Sequence, residues 1–127
     1  MSKNRRSLMR LTVLFLALAL LSGCSRSLSD EELRAARTAF GKGAMIIDVR
    51  SKKEYESRHI EGAVNIPIDL LDKMYRGIPK DRELIVYCRT GSRSAVAAHL
   101  LREQGWKVYD VVNQDEWERE LKEAKGN

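Results

Sequence analysis

The sequence predicts an α/β fold: one small domain with a mainly parallel central sheet flanked by helices. Three observations point there. Short apolar runs at residues 44–49, 83–87 and 106–111 have the length and composition of strands buried on both faces. Amphipathic stretches with helix-start signals separate them. Strand and helix signals alternate over about 100 residues, enough for one compact domain and too little for two.

Taken in order, Ser29-Asp30-Glu31-Glu32 reads as a capping box with Ser29 as N-cap. It opens a helix to about Phe40, with Leu33, Ala36 and Phe40 facing inward and Gly41 and Gly43 ending it. Ala44 to Val49 is the first strand. Ser51-Lys52-Lys53-Glu54 is a second capping box, starting a short helix to about Arg58. Ala63 to Ile66 is a brief strand stopped by Pro67. Asp69 to Tyr75 forms a helical turn or two, bounded by Gly77 and Pro79. A buried strand at 83–87 leads to Cys88, and Ser94 to Gln104 forms an amphipathic helix that Gly105 stops. Trp106 to Val111 is another strand, and Asn113 to Lys122 the last helix, with Glu116 three residues after Asn113. Trp106 and Trp117 are expected as core anchors.

Residues 1–23 form an address. Lys3, Arg5, Arg6 and Arg10 precede an apolar run from Leu11 to Leu21, followed by Leu21-Ser22-Gly23-Cys24. Eleven helical residues span about 16 Å, against roughly 30 Å of bilayer hydrocarbon, so the run is too short to cross. Leu-Ser-Gly-Cys resembles the bacterial lipobox. That resemblance implies lipidation of Cys24, a lipid-proximal tether at 24–28 and a domain at 29–127. Ser25 after the Cys implies outer-membrane sorting, with the domain facing the periplasm. The whole chain has 23 basic and 18 acidic residues. Four basic and no acidic residues lie in 1–23, which leaves 19 against 18, or +1, for the rest. The excess charge belongs to the leader and gives no support for nucleic-acid binding. No heptad or broad apolar stripe calls for a dimer, so a monomer is expected.

The only cysteines are Cys24 and Cys88. With Cys24 lipidated, Cys88 is a lone thiol. These two cysteines with His59 and His99 have no metal-ligand spacing, so no metal or other cofactor is expected. Cys88-Arg89-Thr90-Gly91-Ser92-Arg93-Ser94 puts a thiol at a strand end, then a short loop with Gly and two Arg, then a helix start. Such surroundings lower a thiol from about 8.5 to roughly 3.5–7.5, and inward-turned loop amides make a concavity for negative charge. A core cysteine ending a buried strand is the competing reading. Asp48 also stands at a strand's carboxyl end, the edge where ligand sites of parallel sheets lie.

Together, Ile46-Ile47-Asp48-Val49-Arg50, Glu54-Tyr55, His59 to Pro67 and Cys88 to Ser94 resemble a single-domain rhodanese over roughly residues 29–122. The resemblance implies a sulfurtransferase: Cys88 takes sulfur from thiosulfate or a similar anionic donor as a persulfide and passes it to cyanide or a thiol. Loop residues Arg89, Thr90, Gly91, Ser92 and Arg93 would bind the donor and stabilise the thiolate, with Asp48 and Arg50 in support. Asp48 is expected to pair with Arg50 or cap a backbone, and Arg50 with Glu54. His59 is expected to end a helix, His99 to lie in packing or on the surface, and Gly62 to serve a turn. Related Cys-based phosphatases carry Arg six residues after the Cys, where this chain has Ser94, so phosphate transfer is disfavoured. The family has Gly-Gly where this chain has Asn113-Gln114. Asn tolerates left-handed torsions, while Gln114 adds a side chain at the rim. Two other readings stay open: a carrier or partner-binding module without turnover, and a redox thiol, disfavoured by the lack of a second cysteine near Cys88.

Overall fold

The computed structural model describes residues 28–125. The leader, the lipobox with Cys24 and nearly all of the tether lie outside them. Helix α1 (Asp30–Gly41) is followed by β1 (Met45–Asp48), α2 (Lys52–Ser57) and β2 (Val64–Asn65). Short helical turns and α3 (Leu71–Met74) lead to β3 (Leu84–Cys88), α4 (Ser92–Glu103), β4 (Val108–Asn113) and α5 (Gln114–Lys125).

The four strands form one all-parallel sheet in the order β2-β1-β3-β4. Side chains alternate across it, as the pleat requires. Ile47, Leu84, Val86 and Cys88 face α3 and α4 and pack with Leu71, Ala97, Ala98 and Leu101. Ile46, Ile85 and Tyr87 face the other layer with Ala36 of α1 and Trp117 of α5. Asp48 pairs in register with Tyr87, so the carboxyl ends of β1 and β3 lie side by side. The chain leaves β1 toward β2 on one side and returns to β3 on the other. That change of direction opens a crevice where ligands of parallel sheets bind.

Both capping boxes are present: Ser29 N–H donates to Glu32 Oε2 at 3.0 Å and Ser51 N–H to Glu54 Oε2 at 3.0 Å. Trp106 and Trp117 are buried; the Trp106 indole N–H donates to the Pro79 carbonyl at 2.9 Å. Gly62 holds a left-handed turn at φ +80°. No helix among the described residues is long and apolar enough to cross a membrane.

Three expectations change. In α1 it is Ala39, with Leu33 and Ala36, that turns inward. Phe40 remains 39% exposed and meets Trp117 edge-on, ring centroids 5.8 Å apart. A one-residue rotation of the apolar stripe suffices, because the sheet accepts a small side chain where the ring does not fit. Helix α4 begins at Ser92, two residues earlier than Ser94, because Gly91 supplies the left-handed N-cap at φ +95°. Among the described residues, the non-glycine residue in the left-handed region is Val112 (φ +63°) rather than Asn113. β-Branched residues avoid that region. Here the Asp110 carboxylate accepts the Val112 amide at 3.1 Å, and the register of β3 against β4 breaks between Val86 and Cys88. Asn113 caps α5, its Oδ1 accepting the Glu116 amide at 2.9 Å.

Candidate active site at Cys88

Cys88 ends β3 on the α4 face, and the following residues turn back over its sulfur. The Gly91 amide donates to Cys88 Sγ at 3.0 Å, and Ser94 Oγ stands 3.5 Å from it. Ser94 is fully buried and its hydroxyl reaches the Gly91 carbonyl at 3.2 Å, so rotation of one bond redirects its proton to a thiolate. Burial pushes the thiol up. The Ser94 hydroxyl and the amides of Ser94, Gly91 and Thr90 more than offset this, leaving Cys88 below its ordinary value. The sulfur is therefore buried yet surrounded by converging donors, unlike a cysteine that merely ends a hydrophobic strand.

Gly91 is required twice. Its torsion is one that L side chains resist, and a Cβ there would stand 2.8 Å from Val112 Cγ1. Val112 thus packs directly on the loop, which places the bulge of β4 against the turn that holds the sulfur.

The two loop arginines are placed differently from one another. Arg93 forms a two-pronged ion pair with Glu54 of α2, at 2.8 and 3.0 Å. Its pKa rises chiefly through that hydrogen bond; burial opposes the rise, and the charge at Cys88 adds to it. Glu54 is held well below the usual carboxylate range, first by Arg93, with burial opposing and Ser51 assisting. Arg89 is exposed and has no ion pair among the described residues. Thr90 and Ser92 are exposed as well; Thr90 serves the sulfur through its amide. The Cys88 sulfur is thus held by the Gly91 amide and Ser94, while Arg93 braces the loop against α2.

Asp48 is fully buried and pairs with Arg50. Arg50 Nη2 reaches Asp48 Oδ2 at 2.6 Å, and the Arg50 amide donates to Oδ1 at 2.9 Å. The Tyr87 hydroxyl adds a bond to Oδ2 at 2.7 Å and itself accepts the Ile60 amide at 3.1 Å. Arg50 also donates to the Arg58 carbonyl at 2.6 Å. The expected Arg50–Glu54 pair is not formed: a buried carboxylate two residues away claims Arg50, and Glu54 turns to Arg93. Asp48 does not line the cleft, whereas its partner Arg50 does. His59 Nδ1 lies 2.8 Å from the Tyr55 carbonyl and its ring stacks on Tyr55, closing α2. His99 is exposed beside Glu103.

Above the sulfur lies an open cleft of about 410 Å³. Its walls come from α2, the Cys88 loop and the β4–α5 junction, including Lys53, Arg58, Arg89 and Gln114. Its two carboxylates, Glu54 and Asp115, are each paired with arginine. Lys53 and Arg89 carry uncompensated positive charge among the described residues. Gln114 does occupy the rim: it is buried, and its amide donates to Glu118 Oε1 at 2.6 Å. Among the described residues no group of three or more His, Cys, Asp or Glu is placed to hold a metal ion.

Residues 30–116 match the model of the rhodanese-like domain. The chain belongs to the rhodanese-like family. This rhodanese-like domain is 34% identical over 77 residues to a sulfurtransferase of Allochromatium vinosum, covering 61% of this chain and 72% of the relative. It is 34% identical over 62 residues to the thiosulfate sulfurtransferase PspE of Escherichia coli, covering 47% and 60%. Among solved structures it resembles a rhodanese-related protein of Thermoplasma volcanium (TM-score 0.60, 29% identity), covering 75% of this chain and 92% of that one. The chain spans 66%, 37% and 18% of the lengths of three further relatives that are 37–44% identical to it.

Reading the sequence alone misses Ser94 as a sulfur contact, the Glu54–Arg93 brace, Tyr87, Lys53 and the Arg58 bridge to α5. Ser94 had a usable signal: a hydroxyl residue two places inside a helix whose N-terminus faces a thiol. The others depend on which elements become neighbours.

Proposed function

We propose that this rhodanese-like protein is a sulfurtransferase that moves sulfane sulfur from thiosulfate or a similar anion to cyanide or a thiol through a persulfide on Cys88. One observation carries the reading. Cys88 Sγ receives the Gly91 amide at 3.0 Å beneath a cleft whose uncompensated side chains, Lys53 and Arg89, are both cationic.

In the first half-reaction the Cys88 thiolate attacks the outer sulfur of thiosulfate. The Cys–S bond forms, the donor S–S bond breaks, and sulfite leaves with the bonding pair. The negative charge now rests on the outer sulfur of the persulfide. Loop amides already aimed at the site oppose that charge without reorganising; donors of this kind are worth about 2.7–4 kcal/mol each at oxyanion holes. In the second half the acceptor's lone pair takes the outer sulfur, and Cys88 departs as thiolate. With cyanide the products are thiocyanate and free enzyme. Lys53 and Arg89 gather the dianionic donor, and Arg93, fixed by Glu54, keeps the loop in place.

Treating the purified protein with thiosulfate is expected to add about 32 Da at Cys88, the mass of one sulfur, and cyanide then to release thiocyanate. Cys88→Ser is expected to abolish both. Turnover retained in that variant overturns the nucleophile; a persulfide without turnover points instead to a sulfur carrier. We further propose that the domain is held by lipid on Cys24 at the outer membrane, facing the periplasm. Cys24→Ala is then expected to release it into the soluble periplasmic fraction, and continued membrane attachment overturns the anchor.

A further inference from the structure

The cleft of about 410 Å³ falls in the range of sites that take whole small molecules, roughly 300–1,000 Å³. Yet Cys88 at its floor is only 1% exposed. The mouth therefore admits far more than can reach the sulfur, and some group beside Cys88 sets the final gauge.

Asn113 is the register partner of Cys88 in β4, so the chain passes the sulfur there before entering α5. The Asn113 side chain is turned back to cap that helix. The next residue, Gln114, lines the cleft, is 6% exposed, and is tied by its amide to Glu118. Glu118 is anchored in turn by Arg58 from the end of α2, which also holds Asp115 at 2.8 Å. A glutamine side chain is ordinarily rich in rotamers; this one is fixed at both ends, by the helix start and by a carboxylate that a second element clamps.

We infer that Gln114 is the size-selecting residue of the site, a wall that lets thin reagents reach Cys88 and turns away those with bulk beside the reacting atom. The favoured acceptors are cyanide, sulfite and unhindered thiols; peptidic thiols crowded near the sulfur are excluded. That naming of acceptors rests on the sulfur-transfer reading, whereas the wall acts on any reagent that must touch Cys88. Lys53 and Arg89 at the mouth act on charge, and Gln114 acts on width.

The test compares alkylation of Cys88 in the full chain by iodoacetamide and by a bulky aromatic maleimide, read at the Cys88 peptide by mass spectrometry so that Cys24 does not contribute. Gln114→Ala is expected to raise the ratio of maleimide to iodoacetamide rates by roughly 10-fold or more, the scale on which removed side-chain volume changes discrimination. Gln114→Met, which keeps the bulk, is expected to leave that ratio within about threefold of wild type by the same measure. Ala and Met both suit a first helical turn. An unchanged ratio in Gln114→Ala, or an equal opening in Gln114→Met, overturns the inference. With persulfide-loaded protein, Gln114→Ala is further expected to gain turnover with glutathione relative to cyanide. Absence of any persulfide in wild type overturns the sulfur-transfer reading instead, and the alkylation ratio still decides the wall.

Discussion

The two sides of the cleft are built by opposite means. On one side the loop from Cys88 to Ser94 holds the sulfur through bonds no more than six residues apart in sequence: Gly91 N–H to Sγ, and Ser94 Oγ to Sγ and to the Gly91 carbonyl. On the other, α2 meets the loop and α5 through charged side chains 39 to 60 residues apart, Glu54 with Arg93 and Arg58 with Asp115 and Glu118. Backbone amides cannot be redirected without moving the chain, so the first side is rigid by construction. The second consists of long side chains that salt and solvent weaken. Rigidity is needed where charge develops on sulfur; adjustability is tolerable where substrates enter.

The strongest way to break the rigid side is Gly91→Ala. The left-handed torsion costs about 1–2 kcal/mol for an L residue, and the 2.8 Å approach to Val112 adds an overpacking cost of about 1–3 kcal/mol. A loss of about 2–5 kcal/mol in denaturant unfolding is expected, together with slower persulfide formation as the amide leaves its line. Ser94→Ala touches the same side more gently. It removes the side chain that does most to lower Cys88, so the pH midpoint of iodoacetamide reactivity is expected to move up and the rate at pH 7 to fall several-fold. A midpoint unmoved from wild type excludes Ser94 as a sulfur partner.

Glu54→Gln sharpens the comparison on the adjustable side. The folded protein holds Glu54 below its unfolded value of about 4.3. Its contribution is therefore complete above that value and is lost as pH falls through the lower, folded one. The stability gap between wild type and Glu54→Gln is expected at pH 7 and should narrow below about pH 4. A gap that persists into acid shows that Glu54 works by shape rather than charge. Arg58→Ala is expected to have the smallest effect, since the side chain is 58% exposed. The thermal midpoint should stay near wild type, while amide exchange at the start of α5 quickens.

The same division governs how much could be read from residue order. The capping boxes at Ser29 and Ser51 and the strand running up to Cys88 are local, and each formed where expected, while the equally local Gly91 turn started α4 two residues early. Asp48 with Arg50 is equally short-range, two residues apart. The Arg50–Glu54 expectation failed because four residues along a chain are not four residues along a helix when the helix starts only at Lys52, between them. Phe40 failed more narrowly: a helical stripe can rotate by one residue, and only the facing sheet and Trp117 select Ala39 for the interior.

Residue order by itself determined the alternating α/β pattern, the place of Cys88 at a strand end, and the run of donors that follows it. Turn torsions, caps and amide directions are set within a few residues, so they are written locally. Packing of distant elements decided that Arg93 bonds to Glu54, that β4 shifts register where Val112 meets Gly91, and that Arg58 holds the Glu118 to which Gln114 is tied. Those outcomes depend on which side chains compete for one partner, and that competition exists only once the sheet has brought β1, β3 and β4 together.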